Sequence, residues 1–213
     1  MIKQAIIPVA GLGTRLLPLT SVSPKELLPI NGKPGIEYII EECIDAGIKE
    51  IIFIISNKKI MIKNYFFKDN FYKKIIKKKK DKRILNEYKK ILKYKKMIKF
   101  VFQNKPLGTG DAVLKTKHLI RNKYFLMLLP DDLIIKKNCS KKMLFIHKKY
   151  NSSVMASMRV NRKKVSRWGV YDIKKKLPGN NFIIGDVIEK PSIKKAPSNN
   201  VVIGRYILPR TIF

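Results

Sequence analysis

Apolar residues along this chain gather into two kinds of run. Ile6, Ile7 and Val9, then IIFII at 51–55, IKFVFQ at 98–103 and YFLML at 124–128 are short and rich in β-branched or aromatic residues. Runs of that length and type predict buried strands. Between the first two, residues 34–46 place Ile36, Ile39, Ile40, Cys43 and Ile44 on one helical face, with Glu37, Glu41 and Glu42 largely on the other. Pro34 near the start and Gly47 just past the end mark its boundaries. Further helices are expected around Ala112, Val113 and Leu119 and over 140–150, and further strands over 152–160 and 183–191. Strand, loop, helix, strand predicts an α/β fold: an open mixed, mainly parallel sheet flanked by helices, with ligands bound beyond the carboxyl ends of its strands. A chain of 213 residues is most simply one such domain, 1–213.

Charge complicates the picture, because 47 Lys and Arg face only 15 Asp and Glu, for a net +32. The stretch 58–99 alone carries 18 basic residues against Asp69, Asp81 and Glu87. Such an excess would suit a nucleic acid or another polyanion. Yet there are 39 Lys to 8 Arg and 32 Ile to 6 Ala, the mark of AT-rich codons, and a surface selected to read phosphates and bases would favour arginine. Phe66, Phe67, Phe71, Tyr72, Ile75, Ile76, Ile84, Leu85, Tyr88, Ile91 and Leu92 recur through the same stretch, so core-packed helices with lysine on their outer faces are expected around 57–97. No nucleic-acid partner is therefore expected. The two cysteines, Cys43 and Cys139, form no CxxC pair, and with two histidines a zinc site is not expected. The apolar runs are too short to span a bilayer, and Pro8 and Gly11 interrupt the first, so neither a membrane span nor a signal peptide is expected and the location is read as cytoplasmic.

Candidate chemistry concentrates in residues 5–29, AIIPVAGLGTRLLPLTSVSPKELLP. Gly11 and Gly13 let the backbone turn with its N–H groups exposed, a concave row of donors suited to phosphate oxygens. Arg15 can grip two phosphate oxygens, and Lys25 adds a mobile point charge. The spacing matches neither the Walker loop nor the dinucleotide fingerprint, whose third glycine is replaced by Leu16. Further on, the strand at 124–128 delivers Asp131 to the sheet edge, where a hard carboxylate oxygen can hold Mg²⁺ against phosphates or simply cap a turn.

The string from Gly11 to Pro29, G-x-G-T-R-L-x-P-x-T-x-x-x-P-K-E-L-L-P, resembles the signature of sugar-phosphate nucleotidyltransferases, most closely the bacterial UTP:glucose-1-phosphate uridylyltransferases. That resemblance implies a Rossmann-like nucleotidyltransferase fold, an inserted helical pair in the Lys-rich interval, and synthesis of UDP-glucose and pyrophosphate from UTP and glucose 1-phosphate with Mg²⁺. It assigns nucleotide binding to Ala10, Gly11, Leu12, Gly13 and Thr14, and uracil contacts to Glu26, Gln103 and Gly108. Asp131 would hold the metal. WGV at 168–170 and IIGDVIEKP at 183–191 match the sugar-phosphate half, giving Gly169, Gly185, Glu189 and Lys190, the last two expected on opposite faces of a strand end. Arg15, Lys25 and Lys190 would carry the catalytic charges. Asp132 is given no role.

Family members continue past the GRYIL strand, and the resemblance places a second metal aspartate and a helical segment there, so the C-terminal part of the family fold is expected to be missing from these 213 residues. Two alternatives follow: an inactive relative or fragment acting through subunit contacts, and a thymidylyltransferase-like enzyme. The AGLG and PKE strings weigh against the second, and the intact Gly13, Thr14 and Arg15 against the first. Assembly as a homo-oligomer is left open.

Overall fold

The computed structural model describes residues 2–135 and 137–213. In chain order its regular elements are β1 (Gln4–Pro8), a small hairpin of β2 (Pro29–Ile30) and β3 (Lys33–Pro34), α1 (Gly35–Asp45), β4 (Glu50–Ile55), α2 (Ile60–Phe67), α3 (Asn70–Lys79) and α4 (Lys82–Lys95). There follow β5 (Ile98–Phe102), α5 (Gly108–Leu114), β6 (Tyr124–Leu128), α6 (Cys139–Tyr150), β7 (Val154–Arg159), β8 (Gly169–Leu177), β9 (Asn181–Glu189) and β10 (Asn200–Pro209).

One mixed sheet runs β5-β4-β1-β6-β10-β8-β9, with β7 also paired to β10. β5, β4, β1 and β6 are mutually parallel. Their carboxyl ends therefore share one edge, and the loops after each of them leave from it. β10 then pairs antiparallel with β6, and β8 and β9 extend that antiparallel half.

The parallel strands are apolar on both faces because helices cover both. On one face Ile7, Ile51, Phe53, Ile55 and Leu126 pack with Ile36, Ile40 and Cys43 of α1, Phe66 of α2 and Ile91 of α4. On the other, Ile6, Ile52, Ile54 and Met127 meet Ala112 and Val113 of α5. The alternation Ile6 against Ile7 follows from the two-residue period of a strand. Burial pushes the Cys43 thiol far above its ordinary range, with the nearby Glu42 carboxylate adding to the effect, so it behaves as an apolar core residue. Among the described residues no helix is long and apolar enough to cross a membrane.

Several local expectations change. α5 stops at Leu114, so Leu119 lies in the turns beyond it. The Lys-rich interval holds three helices instead of a pair, and only α2 and α4 reach the core, through Ile62, Phe66, Ile91 and Tyr94. α3 buries no residue, and Phe71 is 72% exposed. Its contact with the rest is lateral, through Tyr72 stacked on Tyr88 of α4 at 6.0 Å. Gly169 and Val170 open β8.

The largest departure concerns α1. Glu37 and Glu42, expected on its outer face, are buried at 2% and 8% exposure. The Tyr65 hydroxyl donates to Glu37. Glu42 meets Arg205 of β10, which is wholly buried: Nε lies 3.1 Å from both carboxylate oxygens and Nη2 2.8 Å from Oε2. Ser140 of α6 adds its backbone N–H at 3.1 Å and its hydroxyl at 2.6 Å to the same Oε1.

Replacing Glu42 by alanine strands a buried guanidinium, so the urea midpoint of unfolding is expected to drop, by about 3–5 kcal/mol of stability. Glu42→Gln, which can still accept, should lose less. A second expectation concerns acid. Burial pushes the Glu50 carboxyl up, but bonds from Lys99 and Gln4 and the charge of Arg121 outweigh it and hold the group below its ordinary value of 4.5. A depressed folded pKa gives stability that is present above about pH 4.5 and lost as pH falls through the folded value. Glu50→Gln should therefore flatten the acid limb of a stability–pH curve, measured by urea unfolding between pH 3 and pH 7.

Candidate functional site

The loop after β1 is a chain of three short 3₁₀ turns, Thr14–Leu16, Leu19–Ser21 and Lys25–Leu27. Gly13 starts it in the left-handed region, at φ 72°, and a Cβ there would sit 3.1 Å from the Thr20 methyl. Thr20 also clamps the turn, its hydroxyl donating to the Gly13 carbonyl at 2.9 Å. Gly11, after the half-buried Ala10, faces open space.

This loop and the one after β6 bound a cleft of about 460 Å³, lined by Gly13, Thr14, Arg15, Lys25, Glu26 and Asp131 among others. Six of the residues singled out in the sequence thus meet in one place, from segments about a hundred positions apart. Lys25 Nζ lies 2.6 Å from Asp131 Oδ2. Asp131 remains more than half exposed, so its carboxylate is open to a ligand from the cleft. Leu12 lies on the other side of the loop, lining a second cavity of about 330 Å³ with Ser23, Lys58 and Lys59.

Glu26 is not a free carboxylate. Both of its oxygens accept from Lys59 Nζ at 2.8 Å, and both residues are buried. Burial lowers the Lys59 pKa, and the Glu26 charge only partly restores it. Gln103, at the carboxyl end of β5, is also buried and also engaged: its Nε2 donates to the Gly108 carbonyl at 3.0 Å and to Asp111 Oδ2 at 2.7 Å. Gly108 has φ 89°, and no atom lies within 4 Å of where its Cβ would be.

The sugar-phosphate candidates lie on the antiparallel half. Gly169 pairs with Glu189 across β8 and β9, and a Cβ on Gly169 would come 3.1 Å from Glu189 Oε2, so the glycine makes room for that carboxylate. Lys190 does not close the strand on the opposite face. It turns out of β9 at φ 44°, its N–H bonds the Trp168 carbonyl at 3.1 Å, and its Nζ swings back to 3.5 Å from Glu189 Oε1. Gly185 is not brought to an open site: the Lys174 stem of β8 lies over it, with Cε only 2.2 Å from the position of a Cβ. The close approach that this glycine permits is used by a lysine side chain. Burial first, then the charges of Asp132 and Glu189, raise the phenol of Tyr206 on β10.

No group of three or more His, Cys, Asp or Glu that could hold a metal occurs among the described residues. The donor set around the cleft is one accessible carboxylate, Asp131, beside a phosphate-suited loop. That set fits a hexacoordinate hard cation such as Mg²⁺, which commonly takes one or two carboxylates and completes its shell with substrate phosphates and water.

Three residues at the site were missed in the sequence. Lys59 falls within the Lys-rich stretch, Asp111 carries no expectation, and Arg205 stands in the GRYIL strand. The position of Lys59 just past a buried strand was the one available signal. Its partner could not be inferred, being 33 positions away.

Lys59→Met is expected to leave Glu26 buried without a cation and to cost about 3 kcal/mol or more in urea unfolding. Adding Glu26→Gln to that variant removes the stranded charge, so the double variant should be more stable than Lys59→Met alone.

A family profile described as Nucleotidyl transferase matches residues 4–213. A UTP–glucose-1-phosphate uridylyltransferase of Bacillus subtilis is 35% identical over 213 residues, covering 100% of this chain and 71% of the relative. One from Streptococcus pyogenes is 37% identical over 219 residues, again covering 100% and 71%. Among solved structures, a UTP-bound UGPase from Acinetobacter baumannii superposes with a TM-score of 0.91 at 33% identity, covering 99% of this chain and 75% of that one. A UDP-glucose pyrophosphorylase complexed with UDP-glucose gives 0.85 at 36% identity, covering 99% and 77%. With the β1 loop, the cleft and this match in hand, the chain belongs to the nucleotidyl transferase family.

Proposed function

We propose that the chain transfers the uridylyl group of UTP to glucose 1-phosphate, releasing pyrophosphate and forming UDP-glucose. The observation that carries this is the convergence of Gly13, Thr14, Arg15, Lys25 and Asp131 on one cleft at the carboxyl edge of the parallel strands. The names of the relatives that match along the whole chain support the same reading.

In this reaction a phosphate oxygen of glucose 1-phosphate attacks the α-phosphorus of UTP, and the bond from that phosphorus to the bridging oxygen of the β-phosphate breaks. The attacking phosphate is already ionised, so no general base is needed, and catalysis consists of positioning and charge neutralisation. Backbone N–H groups of the Gly11–Thr14 turn receive the triphosphate. Arg15 holds the departing pyrophosphate, and Lys25 stabilises charge that develops at the α-phosphate. Lys190 orients the sugar phosphate, Glu189 accepts from sugar hydroxyls beside Gly169, Gln103 and Gly108 face the uracil, and Glu26, held by Lys59, walls the cleft. In the free cleft Lys25 and Asp131 neutralise each other. An incoming phosphate oxygen competes for Lys25 and so frees the Asp131 carboxylate. Asp131 would hold Mg²⁺, which when bound neutralises phosphate charge. The reading includes a cytoplasmic setting, consistent with two free cysteines.

The test is pyrophosphate release by the purified chain with Mg²⁺, UTP and glucose 1-phosphate. Release should require both substrates and fall at least a hundredfold, on the order of 10²–10³ by analogy with loss of one electrostatic stabiliser, in Asp131→Ala. Release with dTTP in preference to UTP would replace this reading by a thymidylyltransferase.

A further inference from the structure

We propose that Asp111 is a positioning residue that sets the base preference of the site, by locking the side-chain amide of Gln103 so that only its oxygen faces an incoming base. The inference rests on the uridylyltransferase reading for the place of the base, and on geometry for the rest. An amide presents two N–H donors at one end and an acceptor oxygen at the other, and turning it over exchanges a donor for an acceptor at almost no steric cost. Here both neighbours of Gln103 Nε2 are acceptors: the Gly108 carbonyl at 3.0 Å and Asp111 Oδ2 at 2.7 Å. A backbone carbonyl and a carboxylate accept and cannot donate. In the flipped amide, Oε1 would face two acceptor oxygens at hydrogen-bond distance and both bonds to Gln103 would be lost. The orientation is therefore dictated chemically, and both Nε2 protons are consumed.

What Gln103 has left to offer is Oε1, an acceptor. The uridylyltransferase reading puts the base beside it, and the loop that follows is uncrowded, with no atom within 4 Å of a Cβ built on Gly108 or Gly110. An acceptor in this position pairs with the N3–H of uracil. In cytosine the same ring position is a lone pair, which would meet the oxygen with repulsion. A carbonyl alone would hold the amide with one bond. Asp111 supplies the second, and α5, whose first turn carries it, fixes where that bond points. Lys115, one turn on, sits 3.7 Å from its other oxygen, Oδ1.

The experiment compares wild type, Asp111→Asn and Asp111→Ala by equilibrium binding of UTP and of CTP, and by kcat/KM for pyrophosphate release with each nucleotide. Asp111→Ala should lower the UTP:CTP preference roughly tenfold, the scale of one hydrogen bond to a buried polar group. Asp111→Asn retains an acceptor oxygen and should keep the preference within about twofold of wild type. A merely structural Asp111 would weaken both nucleotides equally, and an unchanged ratio in Asp111→Ala overturns the proposal. So does a wild-type chain that binds the two nucleotides alike. Preferential UTP binding without pyrophosphate release would sink the uridylyltransferase reading while the binding ratios still decide the role of Asp111.

Discussion

The contact on which the site depends is the buried pair of Arg205 and Glu42. Its guanidinium does more than meet a carboxylate. Nη1 donates to the Leu129 and Gly204 carbonyls, both at 3.0 Å, and Nη2 to the Asp132 carbonyl at 2.7 Å. Leu129 and Asp132 bracket Pro130 and Asp131, so one side chain holds both ends of the segment that presents Asp131 to the cleft. The Asp132 carboxylate closes the arrangement by accepting the Gly204 N–H at 2.7 Å. A Cβ on Gly204 would sit 2.4 Å from Leu129 Cβ, so β10 can lie this close only because that position is glycine. The GRY string thus has a mechanical meaning: Gly204 for approach and Arg205 for the grip. Such a pair adds little net stability, because desolvating both ions costs nearly as much as their attraction returns. What it supplies is one geometry for a loop that has no regular structure of its own.

The cleft itself is built as alternating charge. Lys25 faces Asp131, and Glu26, the next residue, faces Lys59. The two pairs differ in accessibility, and that difference assigns their work. Lys25 and Asp131 are reachable from the cleft and can exchange each other for ligand oxygens. Glu26 and Lys59 are buried and satisfy each other with both carboxylate oxygens, which makes them a fixed wall. A phosphate-binding site needs both kinds, cations free to move and a frame that keeps them from collapsing onto the nearest anion.

The parallel half was legible in the sequence because its signals are local. β1, α1, β4, β5 and β6 each carry their period within a dozen residues, and the loop motif marks which strand edge binds. Gly13, Arg15, Lys25 and Asp131 came together as a result. The failures share a cause. Glu37 and Glu42 fit the polar face of an isolated helix, and only the arrival of Tyr65 and Arg205 from distant segments makes their burial tolerable. Gly185 is expected at the sugar-phosphate half because it stands near Glu189 in a motif, whereas the space beside it is taken by the Lys174 side chain of the neighbouring strand. α3 shows the converse: its apolar positions have the right period but no partner on the sheet, so periodicity alone overstated the core. Lys59 and Asp111 were hard to read because the work of each depends on a partner that periodicity does not mark, Glu26 for Lys59 and Gln103 for Asp111.

The net charge of +32 explains why so much hangs on the few acids. With 47 basic residues against 15, most lysines have no carboxylate to meet and are solvated, and removing any one of them changes little. Each acid, by contrast, is a scarce anchor. Glu26, Glu37, Glu42, Glu50, Asp111 and Asp131 each accept a specific bond from another element or hold a cation in place. A composition skewed towards lysine can drift freely on its outer faces, but at the acids it is held by pairing. Functional information in such a chain is therefore denser in its carboxylates than in the basic residues that dominate its appearance.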